Sequence, residues 1–280
     1  MKITGKKQIV LTIDLEDWFH SLDPVPANWG NYKRRIEYST KLLLNLLGEK
    51  KSLATFFILG DVAKKHPDLI KQIDHEGHEI GSHGFNHEFI YRQTRDQYRN
   101  DLSYSIKYLS DLTGKDIVSY RAPYFSITRE SLWAFDILAE EGIKIDSSIF
   151  PVFNHRYGIP GNKRLPYRLA NGIWEFPITT FPTFLGNIPF AGGVYFRFLP
   201  LAVSKFFIST LLKRKEPVLT YFHPWEFDNF QPRLMGISWF LKLRHYYGLK
   251  NNFEKLSELI SELNVVSIAS GIQTISNKNE

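Results

Sequence analysis

The sequence predicts an α/β fold, a distorted (β/α) barrel of about seven or eight parallel strands, on three observations. Short β-branched runs alternate with longer segments that carry apolar residues at helical spacing, the pattern of βα units around a parallel sheet. The 280 residues hold enough of these units to curl a sheet toward closure. Polar residues collect at the carboxyl ends of the expected strands, where such barrels carry their sites. An open doubly wound sheet is the second reading.

Residues 8–14 (QIVLTID) read as a buried strand, because a short β-branched run suits the interior of a parallel sheet. A helix follows over 36–50, with Leu42, Leu43, Leu46 and Leu47 at helical spacing. Residues 53–59 (LATFFIL) form the second strand, and 61–76 a helix closed by Gly77. A strand over 78–82, a long amphipathic helix over 94–112 ending at Gly114, a strand over 117–121 and a helix over 128–141 ending at Gly142 repeat the pattern. A strand starts at 143–146, and others are expected at 173–176, 217–222 and 265–269, with helices over 201–213 and 252–263. Residues 150–200 break the rhythm with Pro, Gly and aromatic residues, as in Phe181-Pro182-Thr183-Phe184-Leu185-Gly186, and such excursions are commonly functional loops. No linker interrupts the chain, so a single domain over 1–280 is expected.

Composition removes several classes of function. With 43% hydrophobic and 23% charged residues the chain is neither disordered nor collagen-like. Cysteine is absent, which excludes disulfides, thiolate metal sites and a cysteine nucleophile. No apolar run reaches the roughly 20 residues of a membrane span. The first seven residues lack the apolar stretch of a secretory signal, so the expected location is cytoplasmic. The net charge of +6 permits an acidic partner or peripheral approach to an anionic membrane. Basic residues cluster only briefly, at Lys33-Arg34-Arg35 and Lys213-Arg214-Lys215, without a base-reading motif, so nucleic acid is not expected as a partner. The 22 Phe and 14 Tyr give an aromatic surplus on which sugar rings could stack.

Five strand ends carry chemistry. The first reads Thr12-Ile13-Asp14-Leu15-Glu16-Asp17-Trp18-Phe19-His20, and three carboxylates so close together call for a cation, a basic partner or open solvent. The third leads into Gly81-Ser82-His83-Gly84-Phe85-Asn86-His87, two imidazoles four residues apart. Joined to a carboxylate from the first strand, they make a two-histidine, one-carboxylate metal site with open positions for water and substrate. Tyr120-Arg121-Ala122-Pro123-Tyr124 offers a guanidinium suited to Asp14, Asp146-Ser147-Ser148 follows, and Leu219 to Glu226 carries His223 directly after an apolar run.

In this order the motifs resemble the polysaccharide deacetylases (carbohydrate esterase family four, the nodulation-deacetylase homology domain). The matching segments are Thr12 to Asp17, His83 to His87, Arg121 to Tyr124, Asp146 to Ser148 and Leu219 to His223, with Ala54-Thr55-Phe56-Phe57 and Gly77 to His83 similar between them. Asp14 to His20, Gly193-Val194-Tyr195-Phe196-Arg197, His223-Pro224-Trp225-Glu226 and Arg244-His245-Tyr246 resemble a subgroup associated with exopolysaccharide, lipopolysaccharide and other surface-glycan biosynthesis, in which residues 227–280 would be a C-terminal extension.

The resemblance implies a deacetylase-type barrel and hydrolysis of an N-acetyl group from an amino sugar of a polysaccharide, or of a lipid- or nucleotide-linked precursor. It implies a divalent metal, zinc as first choice, held by His83, His87 and a carboxylate. Many family members have adjacent aspartates here, whereas Asp14 is followed by Leu15, so the metal carboxylate falls to Asp17 or, as the alternative, Glu16. Asp17 is the expected ligand. Asp14 would be the base, oriented by Arg121, with the Tyr124 N–H at the oxyanion. His223 would protonate the departing nitrogen with Asp146 as its partner. Tyr124, Trp18, Trp225 and the loop from Phe181 to Phe196 are the expected sugar-contacting surfaces. The competing expectations are a metal-independent amidase acting on a small cyclic amide and a non-catalytic glycan-binding module. The sequence leaves the oligomeric state open.

Overall fold

The computed structural model describes residues 7–277 apart from 24 and 155. Strands β1 (Gln8–Leu15), β2 (Thr55–Ile58), β3 (Glu79–Ser82), β4 (Ser119–Tyr120) and β5 (Ile145–Asp146) come from the first half. The second half supplies β6 (Tyr167–Arg168), β7 (Trp174–Glu175), β8 (Thr180–Thr183), β9 (Gly186–Pro189), β10 (Leu219–Phe222) and β11 (Asn264–Val266). The main sheet runs β10-β1-β2-β3-β4-β5-β7-β6, and β11 also pairs with β1. From β10 to β7 every neighbour is parallel, as is β11 on β1, while β6 lies antiparallel at the edge. Among the described residues no ladder joins β10 to the β7–β6 edge, so the sheet is a curled half-barrel.

The sequence explains most of the elements. All of β1 beyond Gln8 is buried, as its continuous apolar run requires. The helix Ile36–Glu49 packs Leu43, Leu44, Leu46 and Leu47 inward. The helix expected over 61–76 is two, Gly60–Lys65 and Pro67–His75, because Pro67 lacks an N–H and forces His66 out of the helical region. Thr94 and Gln97 form a capping box at the start of Arg95–Thr113, and Gly114 ends it in the left-handed region. The helix expected over 128–141 shortens to Ala134–Glu140 behind the 3-10 turn Arg129–Ser131. The strand expected over 265–269 stops at Val266, since the Ser267 side chain accepts from the Ser270 N–H and starts the helix Ile268–Ser276.

The irregular stretch before Pro200 contains β6, β7, the hairpin β8–β9 and the helix Gly193–Phe198. It docks on the outer side of β10 through a bridge between Gly192 and Tyr221. A Cβ on Gly192 would stand 1.9 Å from the Tyr221 carbonyl oxygen, so only glycine permits this approach. No helix among the described residues is long and apolar enough to cross a membrane.

Candidate active site

Polar side chains from the ends of β1, β3, β4 and β10 converge at the carboxyl edge of the sheet. Chain reversal begins directly after β1, where the Glu16 N–H donates to the Asp14 carbonyl at 2.9 Å. Glu16 Oε1 then lies 3.0 Å from His83 Nε2 and 2.8 Å from His87 Nε2. All three residues are buried, and one ligand atom from each fits within 4.8 Å of the others. His87 occupies this position at a φ of 56°, a left-handed conformation uncommon outside glycine. Burial raises the cost of charge on Glu16, yet His87, His223 and His83 outweigh it and hold its carboxyl well below the ordinary range.

The expected metal carboxylate, Asp17, is not in this group. Its oxygens accept from the backbone N–H groups of Trp18, Arg35 and Ile36, pinning the start of the helix Ile36–Glu49. Burial raises its pKa against those bonds. The structure therefore brings Glu16, and not Asp17, to the histidines. The turn at Glu16 carries Asp17 behind the first strand.

Arg121 is buried at the end of β4 and uses its fork fully. Nη1 donates to Asp14 Oδ1 and to Thr12 Oγ1, both at 2.7 Å, while Nη2 donates to Ser147 Oγ at 2.8 Å and Nε to the Ser147 carbonyl at 2.9 Å. This fixes Asp14 by one oxygen and leaves Oδ2 facing His223 Nε2 at 3.8 Å. The Arg121 carbonyl also accepts from His83 Nδ1 at 2.8 Å, so one residue orients both the carboxylate and the imidazole.

His223 follows β10, and its Nδ1 donates to Glu226 Oε1 at 2.6 Å. The expected partner, Asp146, is elsewhere. It accepts from the Ser148 N–H and hydroxyl, within influence of the buried Glu175. Burial and the neighbouring Asp146 raise Glu175 well above the ordinary carboxyl range. For His223 burial favours the neutral ring, but Glu16, Glu226 and Asp14 together push its pKa up to about 9. Glu226 is held in turn by Arg197 Nε at 3.4 Å. Arg197 donates to the carbonyls of Arg244, His245 and Tyr247 at 3.1, 2.7 and 2.8 Å.

These groups meet a cavity of about 550 Å³ whose lining includes Asp14, Glu16, Tyr124, His223, Trp225 and His245. Trp225 is stacked between His223 and His245, with ring centroids 5.3 and 4.2 Å away. Tyr124, at a φ of 56°, stacks on Phe89 and reaches within 4.3 Å of the His87 ring. Trp18 does not reach the cavity. It is 1% exposed, packs edge-on against Phe19 and Tyr32, and donates Nε1–H to the Lys33 carbonyl. Phe181 is likewise taken up by Phe207, and of the loop from Phe181 to Phe196 only its last part, Gly193 to Tyr195, lines the cavity. Sequence reading missed the roles of Glu226, Arg197 and His245. The spacing of His223 and Glu226, one turn apart, was the available signal for the first.

The donor set fits a divalent cation. Because His83 gives its Nδ1 proton to a carbonyl, a neutral ring turns the Nε2 lone pair toward Glu16, where two acceptors face one another unless a positive charge lies between them. Burial lowers the pKa of His87, and among the described residues its Nδ1 has no hydrogen-bond partner.

Residues 2–143 match the family model described as polysaccharide deacetylase, and residues 147–272 match a domain of unknown function (DUF3473). The chain is 29% identical over 149 residues to a peptidoglycan-N-acetylglucosamine deacetylase of Bacillus cereus, covering 49% of this chain and 53% of that protein. It is 32% identical over 143 residues to a peptidoglycan deacetylase of Helicobacter pylori, covering 49% and 46%. A chitooligosaccharide deacetylase of Azorhizobium caulinodans is 34% identical over 86 residues, 30% of this chain and 41% of that one. The chain thus spans about half the length of the first two of these relatives. Among solved structures, a Mycobacterium smegmatis protein assigned to the polysaccharide deacetylases superposes with a TM-score of 0.67 at 20% identity, covering 99% of this chain and 93% of that one. The allantoinase PuuE superposes at 0.62 with 15% identity, covering 98% and 91%; both share the fold.

Proposed function

We propose, from the premise that this chain belongs to the polysaccharide deacetylase family, that it hydrolyses an N-acetyl group of an amino sugar in a glycan, releasing acetate and a free amine. The observation that carries the reading is the meeting, at one cavity, of a fixed carboxylate, an imidazole paired to a carboxylate and a two-histidine, one-carboxylate group. Glu16, His83 and His87 would hold the metal, zinc as first choice. When bound, such a cation makes a water acidic near neutral pH and polarises the acetyl carbonyl.

Asp14 takes the proton of the attacking water, and Arg121 keeps its carboxylate aimed. The backbone N–H of Tyr124 is our candidate donor to the oxyanion. As the C–N bond breaks, nitrogen leaves as the amine with a proton from His223, whose charged form the Glu226 and Asp14 carboxylates favour. Glu226 orients that ring. Tyr124 and Trp225, whose faces His223 and His245 cover, line the cavity that a sugar ring would enter. We further read the substrate as a surface-polysaccharide chain or its lipid- or nucleotide-linked precursor. We treat the chain as one catalytic unit with residues 227–280 as an extension, a reading supported by β11, which completes the pairing of β1.

The test is acetate release from N-acetylglucosamine oligomers by metal-loaded protein, beside metal-stripped protein and the Glu16→Gln and Asp14→Asn variants. Loss of release in all three supports the reading. Release unaffected by Asp14→Asn, or hydrolysis of a cyclic amide in place of the acetylated oligomers, overturns it.

A further inference from the structure

The cavity also carries two arginines that the chemistry above does not use. Arg156 and Arg244 both line it, and neither guanidinium has an ion pair or hydrogen bond among the described residues. The other charged groups of the cavity are committed: Asp14 to Arg121, Glu16 to the histidines, Glu226 to His223 and Arg197.

The two free cations are nevertheless held in place. Arg156 lies against the rings of Phe89 and Tyr124, 5.4 and 5.6 Å from their centroids, and its carbonyl accepts from the Tyr91 hydroxyl at 3.2 Å. Arg244 sits in the helix Trp239–Tyr246, and its own carbonyl is anchored by Arg197 at 3.1 Å. They are also close enough to influence one another. Burial first, and then the charge of Arg244, lowers the pKa of Arg156, and both arginines act on Tyr124 and Tyr157 between them. Two like charges directed into one partly buried cavity repel, and an anion placed between them relieves the repulsion.

We propose that Arg156 and Arg244 form a clamp for an anionic group, a carboxylate or a phosphate, carried by the glycan beside the acetylated sugar. The proposal rests on the deacetylase reading for the identity of the glycan, but the clamp is a property of the cavity and can be measured without turnover. Guanidinium groups suit both oxyanions, since each accepts two parallel N–H donors. Phe240, Leu241 and Leu243 line the same cavity.

The experiment is titration calorimetry of the metal-loaded protein with three probes: diacetylchitobiose, its aldonate with a terminal carboxylate, and its 1-phosphate. The same probes are then used with Arg156→Gln and Arg244→Gln, and acetate release is followed in parallel. The expected result is about tenfold tighter binding of a charged probe than of the neutral one, falling about tenfold in each variant. Arg244→Lys should recover part of the preference, and raised salt should weaken the charged probe alone. A preference for the aldonate points to a sugar acid, and one for the 1-phosphate to a phosphate-linked carrier. Equal binding of charged and neutral probes, or a charge preference that survives both substitutions, overturns the clamp. Charge-selective binding without acetate release from any probe upholds the clamp and counts against the deacetylase reading.

Discussion

Glu16, His83 and Arg121 come from the ends of β1, β3 and β4 within one parallel sheet, whose register brings those ends near one another. On the second wall His223 comes from the sheet, from β10 beside β1, but its support does not. Glu226 lies in the following turn, Arg197 in a short helix after the hairpin, and His245 in a helix near the chain's end. The first wall is set by backbone hydrogen bonds between strands, which tolerate little displacement. The second depends on ring stacking and on one guanidinium holding three carbonyls, so its geometry depends on residues far apart in the chain. Chemistry that needs a fixed charge constellation sits on the ladder, and contacts that can vary with the substrate sit on the packed segments.

Substitutions at the first wall should have the largest effects. Glu16→Gln or His83→Ala is expected to lose bound metal and to lower acetate release by a factor of about 10³ or more, read by metal analysis and initial rates. Asp17→Asn sharpens the contrast. It should keep the metal but lower stability by about 2 kcal/mol, because a buried carboxylate loses charge-assisted bonds to backbone N–H groups, as a denaturant melt would show. Metal loss in Asp17→Asn would return the ligand role to the residue first expected.

Next in size is the acid. His223→Ala should retain metal and lose about 10²–10⁴ in kcat, and an unchanged rate would remove it from the mechanism. Its supports should cost less: Glu226→Gln about 10- to 100-fold in kcat, with the metal intact. Asp146→Asn, placed away from His223, should fall short of that loss. If it matched Glu226→Gln, the second wall would extend to β5.

The smallest expected effect concerns pH. Burial and Asp146 raise the folded pKa of Glu175 above its ordinary value of 4.5, so its contribution to stability is full below about 4.5 and is lost as pH rises toward the folded pKa. Glu175→Gln keeps an acceptor for the Ile149 N–H, donates toward Asp146 and cannot ionise. The variant should therefore gain thermal stability over the parent progressively from pH 5 to pH 8. An offset constant across that range would mean that Glu175 does not titrate there.

What could be read in the sequence divides along the same line. Most strand positions, the His83–His87 pair, Arg121 and His223 were legible because each depends on a local run with a polar end. Asp17 against Glu16 was not, since the choice turns on where the chain reverses after Leu15, and the backbone N–H groups that claim Asp17 belong to a helix beginning some twenty residues on. The resemblance pairs Asp146 with His223, but in the fold Asp146 lies beside Glu175 of β7, and Glu226 accepts from His223 Nδ1. Trp18 and Trp225 look alike as aromatic neighbours of catalytic-type residues. Only packing shows that one is enclosed and the other lines the cavity.

The ladder on β1 bears on how the molecule is made. Gln8 to Val10 pair with Asn264 to Val266, and Val10 to Ile13 pair with Leu219 to Phe222. During synthesis β1 must wait for a partner translated 208 residues later, with an unpaired edge open to other chains in the meantime. A circular permutant opened between β10 and β11 would place Asn264 to Val266 close to Gln8 along the chain, and it should refold faster and aggregate less than the natural order.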